Sequence, residues 1–195
     1  PPSMREMSSL WCIPLHNYKR RKLKLALSEV ALFGILGGLT FAAKMVMAAI
    51  ANIEPVSLMV MLFAVTFGRK AVYPIYVYVL LEFVTFGIQL WSVNYLYTWA
   101  ILALAAWLLR GMARPFGWAM LSAAFGLLFG TLCTPVYILS GGWAYGLSWW
   151  ISGIPFDIAH CVGNFVIALL LFMPLRKALE RLYGGMRKGI SAEKN

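Results

Sequence analysis

Six apolar stretches, separated by short polar segments, set the hydrophobic pattern of this chain. They cover residues 25–51, 55–67, 71–90, 95–109, 118–139 and 148–173. A bilayer core about 30 Å thick takes about 20 apolar residues in a helix, so most of these stretches are long enough to cross one. The second reaches only about 20 Å at 1.5 Å per residue, and we expect it to be tilted or buried in protein. The pattern predicts an all-α integral membrane protein with a six-transmembrane-helix bundle.

The connections between these stretches contain residues that end or bend helices. Residues 52–55 include an asparagine and a proline, and residues 91–94 are expected to turn the third helix into the fourth. A glycine-rich loop is expected over residues 140–146. Gly153 and Pro155 are expected to kink the sixth helix or to delay its start.

The positive charges are clustered between the apolar stretches and indicate the orientation of the chain. They lie in the segments 5–24, 69–70, 110–114 and 176–194, and of the 17 lysines and arginines only Lys44 lies elsewhere. The other connections, at 52–54, 91–94 and 140–147, contain none. Cytoplasmic loops collect lysine and arginine, so every second connection is expected to be cytoplasmic. This predicts that the N- and C-termini are both cytoplasmic.

The same charges suggest three parts of the chain. Residues 1–24 are expected to form a basic cytoplasmic N-terminal arm, residues 25–174 the six-helix transmembrane domain, and residues 175–195 a basic amphipathic cytoplasmic tail. The net charge of +10 would also suit a nucleic-acid-binding protein. However, these charges flank apolar spans, where anionic lipid attracts basic residues. We therefore expect a lipid bilayer, and no nucleic acid, as the partner of the basic segments.

Composition supports a membrane protein and offers no sign of a metal site. The chain of 195 residues is 62% hydrophobic and 12% charged, with a mean hydropathy of +0.77. Soluble domains carry about 45–50% apolar and about 25% charged residues. Cys12, Cys133 and Cys161 share no metal-ligand spacing. No phosphate-binding loop of the GxxxxGK[ST] type is present, so the chain is not expected to hydrolyse ATP by that route.

Polar side chains recur on two of the predicted helices at helical spacing. One stripe contains Tyr78, Glu82, Thr85 and Gln89, and the other contains Asp157, His160 and Asn164. Charged groups at membrane depth are costly and normally face a cavity or a partner. Both stripes lie in the outer halves of their helices, which predicts a hydrophilic pocket that opens outward. Alternatively they join helices to each other, with Lys44 paired to Glu82 or Asp157.

Aromatic residues are concentrated near the predicted outer ends of the helices. This set contains Trp91, Tyr95, Tyr97, Trp99, Trp143, Tyr145, Trp149 and Trp150. Such rings bind flat ligands well, although part of the set would also serve as an interfacial belt. Combining rings and stripes gives the candidate ligand-binding residues Tyr78, Glu82, Gln89, Trp91, Asn94, Tyr95, Trp143, Tyr145, Trp149, Asp157, His160 and Asn164.

The first apolar stretch carries a ridge of small residues. Gly34, Gly38 and Ala42 recur every four residues. Small residues at this spacing let another helix approach closely, and in lipid such packing drives helix association. The ridge is expected to contact either a helix of this chain or a helix of a partner subunit.

Six short helices with both ends inside, no ATPase motif, a small-residue ridge on the first helix and an aromatic outer rim resemble a known family. The chain resembles the substrate-binding S component of an energy-coupling factor (ECF) vitamin transporter over residues 25–180. The segments 52–56, 73–78 and 149–157 are similar to a subgroup that we associate with cobalamin. In that family the first helix carries alanines where this chain has Gly34 and Gly38.

The resemblance implies a binding and transport subunit in the bacterial plasma membrane, and not an enzyme. It implies that a vitamin, with cobalamin favoured, binds at the extracellular side under the loops at 52–55, 91–94 and 140–146. The ridge of Gly34, Gly38 and Ala42 would dock on a transmembrane coupling subunit. Two separate cytosolic ATPases would use ATP to drive release, and the chain would have no cofactor of its own.

Two other functions compete with this interpretation. A proton-coupled secondary transporter would use Glu82 or His160 as its proton site, although no inverted repeat is evident. An integral-membrane enzyme would use Asp157, His160 and Cys161, a set that lacks a second carboxylate or histidine nearby. Uptake with the proton gradient collapsed separates transport by ATPases from transport by protons.

Overall fold

The structure, a computed structural model, describes residues 26–47 and 55–192, with side chains as far as residue 190. Its elements are α1 Leu27–Met47, α2 Val56–Phe67, a 3-10 turn Gly68–Ala71, α3 Val72–Phe86, α4 Leu90–Leu108 and α5 Pro115–Ala192. These residues contain no strand, which confirms the all-α prediction. Three stretches of them are long and apolar enough to cross a membrane, Leu27–Met47, Val56–Phe86 and Pro115–Ile190. The predicted arm at 1–24 and the loop at 52–54 lie outside the described residues.

The turn between α3 and α4 lies earlier than predicted. The chain leaves α3 at Gly87, whose φ of 78° is in the left-handed region that glycine adopts without strain. Gln89 then caps α4, because its backbone N–H donates to Ser92 Oγ at 2.8 Å and its side chain accepts from the Ser92 backbone. The prediction of a turn at 91–94 is therefore wrong, since these residues form the first turn of α4.

α5 reverses at a single residue. Its backbone leaves helical geometry at Gly142, where φ is 84° and ψ is 177°. The reversal lies within the predicted loop at 140–146 but is shorter than predicted, because helical structure continues on both sides of this glycine. The two limbs, residues 115–141 and 143–192, then pack against each other as an antiparallel hairpin.

Side-chain contacts along the hairpin fix the register of its two limbs. Near the reversal, Tyr137 stacks on Trp149 with 3.8 Å between ring centroids. At the other end, Trp118 stacks on Phe172 at 4.3 Å, and both of these rings are fully buried. The limbs therefore stay in contact over almost the whole length of the first one.

The second limb is longer than predicted. It remains helical through Pro155 and Pro174, and Gly142 is the one residue within α5 with non-helical backbone angles. The helix is already formed before Gly153 and Pro155, so the expected delay of its start is wrong, and the predicted tail continues the helix to Ala192. An interruption in apolar surroundings would leave backbone groups without hydrogen-bond partners, which favours an unbroken helix.

Contacts between helices show that neighbouring segments alternate in direction. α1 and α3 run the same way, because Glu29 contacts Lys70 just before α3 and Lys44 contacts Glu82 near its end. α2 and the second limb of α5 also run in the same direction. Ser57 contacts Asn164 at one end of α2, and the ring of Phe67 lies 4.9 Å from that of Tyr183 at the other.

α4 runs antiparallel to the first limb of α5. The Tyr97 hydroxyl donates to the carbonyl of Leu132 at 2.7 Å, and the Trp99 ring lies 5.7 Å from the ring of Phe125. The bundle therefore places the C-terminal end of α3, the start of α4 and Gly142 at one end. The turn at Gly68–Ala71 and the loop between α4 and α5 lie at the other.

α2 forms the centre of the core. Its 12 residues are apolar or weakly polar, and nine of them are buried: Val56, Ser57, Leu58, Val60, Met61, Leu62, Phe63, Ala64 and Phe67. A helix of this length reaches only about 18 Å, which is too short to cross a bilayer alone. Burial on nearly all sides by α4 and α5 means that its environment is protein, as expected for the shortest apolar stretch.

A buried polar network joins α1, the α2–α3 turn and the C-terminal helix. The carboxylate of Glu29, 4% exposed, accepts from Lys70 Nζ at 2.6 Å and from the Tyr183 hydroxyl at 2.7 Å. It also accepts from the backbone N–H of Ala26 at 3.2 Å. Because Lys70 and Tyr183 come from distant parts of the chain, this carboxylate holds one end of the bundle together.

We expect Glu29→Ala to destabilise the fold by about 3 kcal/mol, because it leaves Lys70 and Tyr183 without their shared acceptor. Thermal unfolding in a single detergent measures this change. Glu180→Ala is the matched control, since Glu180 pairs only with Arg176 at the surface. An exposed pair of this kind contributes less than about 1 kcal/mol. Equal losses from the two substitutions would contradict a stabilising role for the Glu29 network.

Candidate ligand-binding site

Lys44 and Glu82 form an ion pair between α1 and α3. Lys44 Nζ lies 3.0 Å from Glu82 Oε2 and donates to the Tyr95 hydroxyl at 3.3 Å. The ammonium also lies 5.2–6.0 Å from the ring centroids of Phe86, Trp91 and Tyr95, within the range of cation–π attraction. Of the two pairings considered for Lys44, the structure shows the one with Glu82.

Three packed rings extend from this ion pair into the bundle, one pair of them stacked and the other contacts edge-on. Tyr95 lies 6.2 Å from Tyr78 and 5.3 Å from Trp99, centroid to centroid. All three rings are buried, so they form an aromatic wall between α3, α4 and α5. Glu82 Oε1 and Trp99 Nε1 lie at this wall, and neither has a hydrogen-bond partner among the described residues.

Beyond the wall lies a cavity of about 180 Å³, which we call the inner cavity. It is lined by Ser57, Tyr95, Trp99, Phe125, Gly126, Phe129, His160 and Asn164. The Asn164 side chain donates to Ser57 Oγ at 3.1 Å and to the carbonyl of Ser122 at 3.3 Å. His160 Nδ1 is buried and has no partner within the described part of the chain. The cavity therefore combines aromatic walls with two unpaired ring nitrogens, those of Trp99 and His160.

Asp157 lies next to this cavity and contacts the facing limb of α5. Its oxygens accept from the backbone N–H of Gly130 at 3.0 and 3.2 Å. A Cβ at residue 130 would overlap the carboxylate, so a larger residue there would require Asp157 to move. Gly126, one turn earlier, likewise leaves no room for a Cβ beside His160.

A second cavity of about 290 Å³, which we call the outer cavity, lies on the other side of His160. It is lined by Phe129, Gly130, Trp149, Ser152, Gly153, Phe156, Asp157 and His160. Phe129 and His160 line both cavities, so the two cavities adjoin at these residues. Neither cavity is lined by a lysine or an arginine.

The two polar stripes do not meet in one open pocket. Glu82 lies with Lys44 and Tyr95, whereas Asp157, His160 and Asn164 lie around the two cavities. Tyr95 is the connection between the groups, since it contacts Lys44 and lines the inner cavity. The described residues contain no group of three or more His, Cys, Asp or Glu side chains that could hold a metal ion.

Several other candidate residues lie at the turn between α3 and α4 and make hydrogen bonds there. Gln89 donates to the Phe86 carbonyl at 3.0 Å and accepts from Trp91 Nε1 at 3.0 Å. Asn94 is buried, and it accepts from the Tyr97 hydroxyl at 2.8 Å. These contacts stabilise the first turn of α4, where the ring centroid of Trp91 lies 5.5 Å from that of Tyr95.

The aromatic residues of the hairpin divide into two groups. Trp149 lines the outer cavity and is stacked on Tyr137. Trp143 is 78% exposed and Tyr145 is 45% exposed, so both lie at the outside of the hairpin tip. Neither lines the inner or the outer cavity, and their position suits the interfacial belt.

The sequence pattern did not identify three of the residues that line the cavities, Phe129, Gly126 and Gly130. The two glycines are four residues apart, a spacing typical of small residues where helices pack closely, and this spacing was the signal that could have indicated them. Cys161, by contrast, makes no hydrogen bond to Asp157 or His160. Comparisons of the chain with protein-family models, with curated proteins and with solved structures find no match.

If Lys44 and Glu82 form a structural pair, their substitutions are expected to be coupled. Lys44→Met and Glu82→Gln should each cost about 3–5 kcal/mol, because each leaves a buried group unpaired. The double variant should cost less than the sum by about 1–3 kcal/mol. A double-mutant cycle of thermal unfolding measures the coupling. Additive losses would show that the two side chains act independently, for example by contacting a ligand.

Proposed function

We propose that this chain is the substrate-binding S component of an ECF-type vitamin transporter. It would capture a vitamin from outside the cell, dock on a transmembrane coupling subunit and release the vitamin inside when two cytosolic ATPases hydrolyse ATP. The observation that carries this proposal is that α1 leaves its small-residue ridge uncovered while the rest of the bundle contains cavities lined by aromatic and polar side chains.

The proposal includes six membrane crossings in a bacterial plasma membrane, with both termini cytoplasmic. The crossings would be α1, α2, α3, α4 and the two limbs of α5. Supporting observations are the alternating directions of these segments and the location of Arg69, Lys70, Arg110 and Arg114 at a single end of the bundle. That end would be cytoplasmic, since cytoplasmic loops collect positive charge. The cavities would then open toward the outside.

The ridge on α1 faces away from the described bundle. A Cβ added at Gly34 or Gly38 would meet no atom within 4 Å, and Ala42 is exposed. Gly37 is the residue of α1 that packs inward, where a Cβ would stand 2.6 Å from Val77 Cβ and 2.8 Å from the Pro74 carbonyl. Of the two contacts considered for the ridge, these observations favour a helix of a partner subunit.

The interior of the bundle supports a binding role. The cavities contain buried polar atoms that lack partners among the described residues, and such atoms are expected to be satisfied by a ligand or by water. Aromatic walls provide low-entropy contact with a flat molecule. Candidate ligand contacts with direct access to the cavities are Tyr95, Trp149, Asp157, His160 and Asn164.

The transport mechanism in this proposal uses separate surfaces for the ligand and for the partner subunit. Ligand binding would fill the cavities inside the bundle, while α1 would remain free to dock. The coupling subunit would then turn the loaded bundle in the membrane and expose the cavities to the cytoplasm. The exposed apolar side chains of α1, among them Ile35 and Leu39, allow contact with either lipid or a partner helix during such a movement.

We expect Gly38→Leu to reduce ATP-dependent uptake by about tenfold or more while the purified chain still binds its ligand, because leucine blocks close helix approach. Uptake is measured in cells that contain the coupling module, and ligand binding is measured on the isolated chain. Collapse of the proton gradient should leave uptake intact when ATP is present.

Gly37→Leu provides the control for folding. Its side chain would collide with Val77 and the Pro74 carbonyl, so this variant should lose binding and uptake together. Unchanged uptake in Gly38→Leu would refute docking through the ridge. Uptake that stops when only the proton gradient is collapsed would instead indicate a proton-coupled carrier.

A further inference from the structure

Asp157 is the one acidic side chain of the described residues that has no ion pair. The other three each contact a lysine or an arginine within 3.0 Å. Asp157 is 6% exposed, and the only hydrogen bonds that it receives come from the backbone N–H of Gly130. His160, one helical turn away, makes no ion pair with it. A buried charge without a partner is costly in a membrane protein and marks a functional site.

The surroundings of this carboxylate are aromatic. Phe129, Trp149 and Phe156 line the outer cavity together with Asp157. The faces of such rings carry negative electrostatic potential and attract cations, most strongly in the case of tryptophan. Carboxylate and rings therefore favour the same kind of ligand charge, and an anionic ligand would be repelled by both.

Hydrogen bonds with the facing limb of α5 hold the Asp157 carboxylate beside the outer cavity. Because residue 130 is glycine, Asp157 reaches the backbone of the facing limb, and both of its oxygens lie near one N–H. A carboxylate can accept about four hydrogen bonds, so capacity remains for donors from a ligand. A cationic N–H group would provide both the donors and the missing charge.

The sizes of the cavities limit the ligand. The outer cavity holds about 290 Å³ and the inner cavity about 180 Å³. Pockets for drug-sized ligands usually hold about 300–1,000 Å³. These volumes suit a small ligand, whereas a macrocyclic corrinoid, the ligand that the sequence resemblance favours, would have to extend beyond both cavities.

We propose that the outer cavity binds a small flat molecule whose ring carries a positively charged nitrogen group, with Asp157 as its counter-ion. The ring lies among Phe129, Trp149 and Phe156, and the remainder of the molecule extends past His160 toward Trp99. The inference rests on the proposed function in one respect, since it takes this ligand to be the transported vitamin.

Three flat probes of nearly equal shape and different charge test the proposal: benzamidinium, benzamide and benzoate. Their dissociation constants for the purified full chain in lipid nanodiscs are measured by equilibrium dialysis. Benzamidinium should bind at least about tenfold more tightly than benzamide, as expected for a charge-assisted hydrogen bond at a buried carboxylate. Benzoate should bind most weakly. Equal affinity for benzamidinium and benzamide, or a preference for benzoate, would overturn the proposal.

Two variants test whether Asp157 causes the preference for benzamidinium. Asp157→Asn keeps an acceptor for the Gly130 N–H and should reduce the preference for benzamidinium to about twofold or less. Glu180→Gln removes an exposed carboxylate far along the same helix and should leave the preference unchanged. A preference that persists in Asp157→Asn would place the cation elsewhere and refute the assignment. If that variant does not fold, the charge series on the unsubstituted chain still decides the question.

The outcome is separable from that of the proposed function. The dialysis uses the chain alone, without a coupling subunit or ATP. Failure of the charge series alongside a normal effect of Gly38→Leu on uptake would refute only the class of ligand. A clear preference for benzamidinium without ATP-dependent uptake would support the Asp157 site and refute the transport mechanism.

Discussion

Within a helical bundle whose outer surface is apolar, a buried polar group has no water to bind and must find its partner in protein or in a ligand. This constraint explains why Glu29 receives three donors and why Lys44 pairs with Glu82 beneath a set of rings. It also explains the capped corner at Gln89. Asp157 is the exception, because it has no ion pair, and a ligand in the cavity beside it would supply the missing charge.

The bundle separates two kinds of surface. Its interior, around α2 and the α5 hairpin, contains the polar atoms and the cavities, while α1 contributes one inward residue row and one open ridge. Gly37 and Gly38 are neighbours in sequence, yet one packs against Val77 and the other faces away from the bundle. Under the proposed function, such a division would let one helix hold the fold together and offer a docking surface, so that binding and docking could be changed independently.

Apolar stretches and glycines predicted the helical class and most of the helices, because burial in lipid or protein demands long apolar runs. The turns were harder to place. The chain reverses over residues 87–89 and at Gly142, whereas residues 91–94 form helix and the expected loop at 140–146 is reduced to one non-helical residue. Helical spacing correctly put Asp157, His160 and Asn164 on one face. It could not show that Glu82 belongs to a different cluster, since this depends on which helices become neighbours.

The central claim, that the unpaired Asp157 serves a bound cationic molecule, is tested most directly by mass spectrometry of the chain purified from membranes under native conditions. No ligand is added during purification. The account expects one small nitrogen-containing cation per chain, retained by the unsubstituted protein and absent from Asp157→Asn. Phospholipid alone in both preparations, or the same small molecule in both, would contradict it.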